Sequence, residues 1–117
     1  DGADGAAVIG LRARPGAAVA GDVVWSAARQ QGYARLAGLA ANDPRAAHYH
    51  VWIVDRRRDP RFPVDGGRFD VTAPGELVVA LAPRLPIGDA GEFLITLEDP
   101  AGVVVSTRAR TVAVTAP

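Results

Sequence analysis

His48 and His50 are two residues apart, with Asp55 five further on. On a β-strand that spacing sends both imidazoles to one face, where a nearby carboxylate could help them share a divalent metal. A metal site needs more ligands, and no third lies at a recognisable spacing, so two incidental imidazoles on a half-exposed strand face are the expectation. A serine hydrolase needs a nucleophile held by a base, yet Ser26 and Ser106 are the only serines and neither stands in a nucleophile elbow. Arg56, Arg57, Arg58 and Arg61, interrupted by Asp55, Asp59 and Pro60, could present guanidinium forks to an anion. The carboxylates among them predict instead a solvated loop whose charge is neutralised locally. Asp65-Gly66-Gly67 shares only its glycines with a phosphate loop, lacks the Lys-Ser/Thr and the following helix, and predicts a turn that needs positive φ. Trp25, Tyr33, Tyr49, Trp52, Phe69 and Phe93 are spread singly along the chain, the distribution of core anchors rather than of a stacking platform for sugars or bases. With no convergent acid, base and nucleophile, neither an enzyme nor a cofactor is expected.

Composition narrows the classes further. A chain of 117 residues is long enough for one core and too short for two. Its 49% apolar and 22% charged content is that of a folding domain, not of a disordered one. Thirteen basic residues, all arginine, balance thirteen acidic ones, so no global field recruits nucleic acid or an anionic membrane. The absence of cysteine rules out a disulfide framework and a thiolate zinc site. A start on Asp1-Gly2-Ala3, without an initiator methionine, is expected of a segment taken from a longer protein.

The elements that must position these residues are strands. Residues 1–7 are small and polar and predict a flexible arm ahead of a single domain over 8–117. From Val8 onward, apolar runs of strand length alternate with Gly, Pro, Asn and Asp clusters, as in an all-β domain with short turns. The predicted strands are 8–13, 22–29, 33–39, 48–55, 68–72, 76–82, 92–98, 103–105 and 112–114. In 76–82, Leu77, Val79 and Leu81 fall on one face and Val78, Ala80 and Ala82 on the other, so both faces are expected to be buried. In 92–98, Phe93, Ile95 and Leu97 alternate with Leu94, Thr96 and Glu98, so the second face should become wetter along the strand. A change of inward phase after 103–105 predicts a bulge or turn around Arg108 and Arg110. Trp25, Ala28, Gly32, Leu36 and Leu39 also fit helical spacing. Gly32 and Gly38 would each cost a helix about 1 kcal/mol, however, and Gly32 suits a hairpin turn, which favours two strands. The expected fold is a two-sheet antiparallel β-sandwich, immunoglobulin-like in general architecture.

Several short segments occur in one order: Gly38-Leu39, Asn42-Asp43-Pro44, Tyr49, Trp52-Ile53-Val54-Asp55, and Pro63-Val64-Asp65-Gly66-Gly67-Arg68-Phe69-Asp70. Phe93-Leu94-Ile95-Thr96-Leu97-Glu98-Asp99-Pro100-Ala101-Gly102 and a Val/Ser-rich stretch follow. As a combination, running from about Asp22 to the end, they resemble the C-terminal domain of the anti-sigma-K factor family. The chain departs from that pattern where many relatives carry Gly-Gly-Ser, since here Ala101-Gly102 leads straight into Val103. The resemblance implies an extracytoplasmic domain of a bacterial protein, tethered by one transmembrane helix to a cytoplasmic segment that sequesters a sigma factor. It further implies a role through protein interaction or control of regulated proteolysis, with a signal protein or a protease as partner. The sigma factor would be bound only by the cytoplasmic part, which this chain lacks.

Two other function classes fit a fold of this kind. One is an adhesive or carbohydrate-binding module of a secreted bacterial protein, which exposed aromatic side chains would serve. The other, ranked last, is a metal-dependent enzyme built on His48 and His50.

Overall fold

The computed structural model describes residues 6–13, 19–73, 75–100 and 111–115. Over these the chain is all-β. The strands are β1 (Ala7–Ala13), β2 (Ala20–Ser26), β3 (Gln31–Ala37), β4 (His48–Asp55), β5 (Val64–Phe69), β6 (Glu76–Leu81), β7 (Ala90–Glu98) and β8 (Thr111–Thr115). All pairings are antiparallel, in the order β5-β4-β7-β8-β1-β2-β3-β6. The sheet curls until its two ends almost meet. Just past β6, the N–H of Ala82 donates to Gly66 O (2.7 Å) and that of Arg84 to Asp65 O (3.0 Å), both on β5. The outline is nearly that of a closed barrel, an arrangement that leaves little unpaired edge.

Alternation along each strand turns one set of side chains inward. Val23 and Trp25 of β2, Ala34 and Leu36 of β3, Tyr49, Val51 and Ile53 of β4, Phe93 and Ile95 of β7 and Ala113 of β8 form one buried cluster. Each large apolar side chain buried in it stabilises the fold by about 1.5–3 kcal/mol.

Residues 25–39 do form two strands, but their turn spans residues 27–30, with Gln30 at φ 53°. Gly32, expected in that turn, instead lies within β3 opposite Trp25. A Cβ there would sit 2.2 Å from Val24 O, so the glycine serves the close approach of β2 rather than a reversal. The strand expected over 68–72 begins earlier, at Val64, because Asp65-Gly66-Gly67 forms a bulge rather than a turn. Val51 pairs with Gly67 and Trp52 with Asp65, which leaves Gly66 as the extra residue. Gly67 does take a positive φ of 130°, and Asp65 Oδ1 accepts its N–H at 2.9 Å.

Burial also departs from expectation. β6 lies at one end of the strand order, and its outer face is open: Val78 is 66% exposed while Val79 and Leu81 are buried. β7 shows the reverse, since Leu94, Thr96 and Glu98 are buried along with Phe93 and Ile95. Their face lies against Trp52 and His50 of the paired strand β4, so it does not become wet. Among the aromatic residues Trp25, Tyr49, Trp52 and Phe93 are buried and Phe69 half-buried, but Tyr33 is 39% exposed and anchors no core. Ala7 opens β1. Residues 1–5 of the expected arm, the strand over 103–105 and the irregularity near Arg108 and Arg110 fall outside the described residues.

Candidate functional site

While Tyr49, Val51 and Ile53 of β4 enter the core, His48, His50 and Trp52 share the opposite face. That face is not half-exposed: His50 is 4% and Trp52 0% exposed. Across the β4-β7 pair, His50 stands opposite Thr96 and Trp52 opposite Leu94. Trp52 Nε1–H donates to Thr96 Oγ1 (2.8 Å), and the Thr96 hydroxyl donates to Glu98 Oε2 (2.6 Å). The hydroxyl is therefore engaged both as acceptor and as donor, which is a structural relay and not a nucleophile in waiting. The His50 ring stacks on the Trp52 indole, with centroids 5.3 Å apart and planes 12° apart. Its Nδ1 lies 3.8 Å from Asp65 Oδ1, too far for a hydrogen bond, and among the described residues neither ring nitrogen has a hydrogen-bond partner. Burial lowers the His50 pKa, against the opposing pull of Asp65 and Glu98, so the imidazole is neutral at pH 7.

His48 turns to a different partner. Its Nδ1–H donates to Asp70 Oδ1 at 2.6 Å, and Asn42 Nδ2 donates to the same oxygen at 2.8 Å. Asn42 Nδ2 also donates to Ala47 O (2.8 Å), while Asn42 Oδ1 accepts the N–H of Val71 (2.7 Å). The Asn42 N–H completes the clasp by donating to Val71 O (3.0 Å). One asparagine thus ties the β3-β4 connection to the segment after β5. The Asn42 hydrogen bond, and after it His48, hold the Asp70 carboxyl below its ordinary pKa. Tyr49 belongs to the same end, its hydroxyl donating to Ala40 O (2.7 Å) and its ring stacking on Phe69 at 5.4 Å. Gly38 leaves β3 at φ 86° and Leu39 is buried beneath the loop. Asp43 accepts the Arg45 N–H (2.9 Å) at the tight turn that contains Pro44.

Asp55 sits at the far end of β4 and joins neither histidine. Its buried carboxylate accepts the N–H groups of Arg57 (2.9 Å), Gly88 (2.8 Å) and Asp89 (3.0 Å), with Arg58 Nε at 3.4 Å. Burial pushes its pKa up, but the three backbone donors and Arg58 outweigh that, and the carboxyl titrates below its ordinary range. Among the described residues no three His, Cys, Asp or Glu side chains are grouped to hold a metal ion. The arginine loop is neutralised in part as its composition predicts, through Arg61–Asp59 (2.7 Å) and Arg58–Asp55, while Arg56 pairs with Asp89 (2.8 Å) of the β6-β7 loop.

Of the other residues singled out, Ser26 Oγ accepts the Arg29 N–H at 3.2 Å, Phe93 packs at 6.1 Å from Trp25, and Pro100 is half-buried. Ser106 and Gly102 lie outside the described residues. Gln30 has a role that no motif marks. Its Nε2 donates to Ile87 O (2.9 Å) and its Oε1 accepts the Ile87 N–H (2.6 Å), joining the β2-β3 turn to the β6-β7 connection. Only a positive-φ turn among alanines distinguishes it, and that is a property of the backbone.

The arrangement as a whole is one of loops clasped at both ends of β4 and a relay sealed in its middle. No protein-family model, no curated protein and no solved structure matches the chain.

Proposed function

We propose that this chain is the extracytoplasmic regulatory domain of a membrane-anchored anti-sigma factor, acting by protein interaction or by controlling access of a protease. The observation that carries the reading is the ordered set of segments from Gly38 to Pro100 together with what those residues do. Asn42, Tyr49, Asp55, Asp65 and Phe69 are the side chains that clasp loops or shape the bulge, so the resemblance falls on positions a shared fold would need. A surface-acting role also suits polar groups spent on one another, because a regulatory body needs shape rather than a reactive centre.

We read the curled sheet as two layers of a sandwich. β1 supports this by dividing its pairing, Ala7 to Gly10 with β2 and Leu11 to Ala13 with β8. The run β8-β7-β4-β5 follows the order of one sheet of an immunoglobulin variable domain, whereas the β2-β3 hairpin, which stays in one layer, departs from it.

The test is made on the full-length protein in its own bacterium. External protease should reach a tag on this domain in cells stripped of their outer layers, and deleting the domain should change transcription from the cognate sigma factor. A domain found only in the cytoplasm, or a deletion that leaves every sigma-dependent transcript unaltered, overturns the reading.

A further inference from the structure

We propose that the end of the molecule at which β1 begins is a docking surface for an anionic phospholipid bilayer. Four pieces of chain converge there. Ala7 pairs with Trp25 at the start of β1, next to the 27–30 turn. Gln30 binds that turn to Ile87. Arg56 N–H donates to Asp89 O (2.8 Å) and Arg58 Nη2 to Pro86 O (3.0 Å), which fastens the β4-β5 loop to the β6-β7 loop. Asp55 receives backbone N–H groups from both loops. The backbone of the surface is accordingly fastened before any contact, which lowers the ordering cost of binding.

Its composition differs from that of the whole chain. Arg29, Arg56, Arg57, Arg58, Arg61 and Arg84 lie on these loops, against Asp55, Asp59, Asp89 and, on β5 and β7, Asp65 and Glu92. Asp55 is buried and committed to the loops, so it presents no charge outward. Among the described residues Arg57 and Arg84 have no carboxylate partner, which leaves two guanidiniums for phosphate oxygens. Phe62 and Leu85, one on each loop, are each 50% exposed, and the Arg61 guanidinium lies 5.4 Å from the centre of the Phe62 ring. Exposed apolar side chains beside arginines suit the boundary between headgroups and acyl chains, where rings and stems are buried and cationic heads meet phosphate. A chain with zero net charge can still carry a local excess of one sign, and on these loops the arginines outnumber the carboxylates.

The surface consists of these loops alone. The proposed membrane anchor adds only that a tether preceding β1 would enter at this same end.

The purified chain is sedimented with vesicles of phosphatidylglycerol mixed with phosphatidylcholine, and with vesicles of phosphatidylcholine alone. Binding is expected only to the anionic vesicles and should weaken as salt is raised. Arg57→Gln and Arg84→Gln should each lower the partition coefficient about fivefold. Phe62→Ser with Leu85→Ser should lower it at least as much, whereas Arg45→Gln at the opposite end should leave it unchanged. Equal denaturation midpoints show that each variant is folded. No binding to anionic vesicles by the folded chain, or equal losses from Arg45→Gln and Arg57→Gln, overturns the proposal. These outcomes are independent of the protease-accessibility result, so either proposal can fail without the other.

Discussion

Trp52 offers the sharpest test of how this fold is held. It has no exposed surface, yet it lies outside the main apolar cluster, on the face of β4 shared with His50 and the Thr96–Glu98 relay. Trp52→Ala removes the largest fully buried side chain, for which the expected loss is about 3–5 kcal/mol. Such a loss is a large share of the roughly 5–15 kcal/mol that holds a domain folded. Trp52→Phe keeps most of the ring volume and loses one hydrogen bond, for about 1–2 kcal/mol. Thr96→Val keeps the shape but strands a buried indole N–H, for about 1–3 kcal/mol. Once the indole is gone, the hydroxyl has less to lose, so the double variant Trp52→Phe/Thr96→Val should cost less than the sum by about 1 kcal/mol. Urea denaturation of the four variants and the unaltered chain, with a common m-value, measures all of these. A Trp52→Ala shift below about 1 kcal/mol, or strict additivity in the cycle, would refute the claim that this second buried layer supports the fold.

Other positions give independent outcomes. Because the His50 pKa is lowered in the folded state from 6.5, the unfolded chain binds the extra proton first, so stability should fall as pH drops below about 6.5. His50→Phe should flatten that limb of a stability-against-pH curve, and an unchanged limb would show that another group is responsible. Asp55 is likewise lowered from 3.8, so its contribution persists above that value and is lost on further acidification. Asp55→Asn should cost about 2–4 kcal/mol and speed amide hydrogen exchange at Arg57, Gly88 and Asp89 relative to the β2-β3 pair. Gly21 adopts φ 144°, and a Cβ there would lie 1.9 Å from Arg35 O, so Gly21→Ala should lower the thermal midpoint markedly while Gly10→Ala, with open space around it, should not.

Much of the strand pattern was legible because alternation and turn residues are local properties. β4 falls where its apolar run and its flanking Asn-Asp-Pro and arginine segments place it. The errors have a common origin in reading polarity as exposure and apolarity as burial. Thr96 and Glu98 at alternate positions look like a wet face, but the Trp52–Thr96–Glu98 chain satisfies polar atoms internally, and that permits burial, whereas His50 is buried by stacking on the Trp52 ring. Val78 and Ala80 look like a second buried face, yet β6 stands at one end of the strand order with nothing in the pattern to say so. Strand order is a long-range property, and no window of residues contains it.

The arginine-rich end is likewise invisible to composition. A sum over the chain records equal numbers of positive and negative groups and discards where they lie. Arg58 and Arg61 do meet carboxylates near them in sequence, Asp55 and Asp59, while Arg56 meets Asp89 from the β6-β7 loop. Folding then removes Asp55 from the surface and brings Arg84 and Leu85 alongside from a segment more than twenty residues away. Neighbours in space on these loops are therefore not the neighbours in sequence. A charge count can exclude a protein that is basic throughout, but it says nothing about one whose carboxylates have been used to fasten its loops.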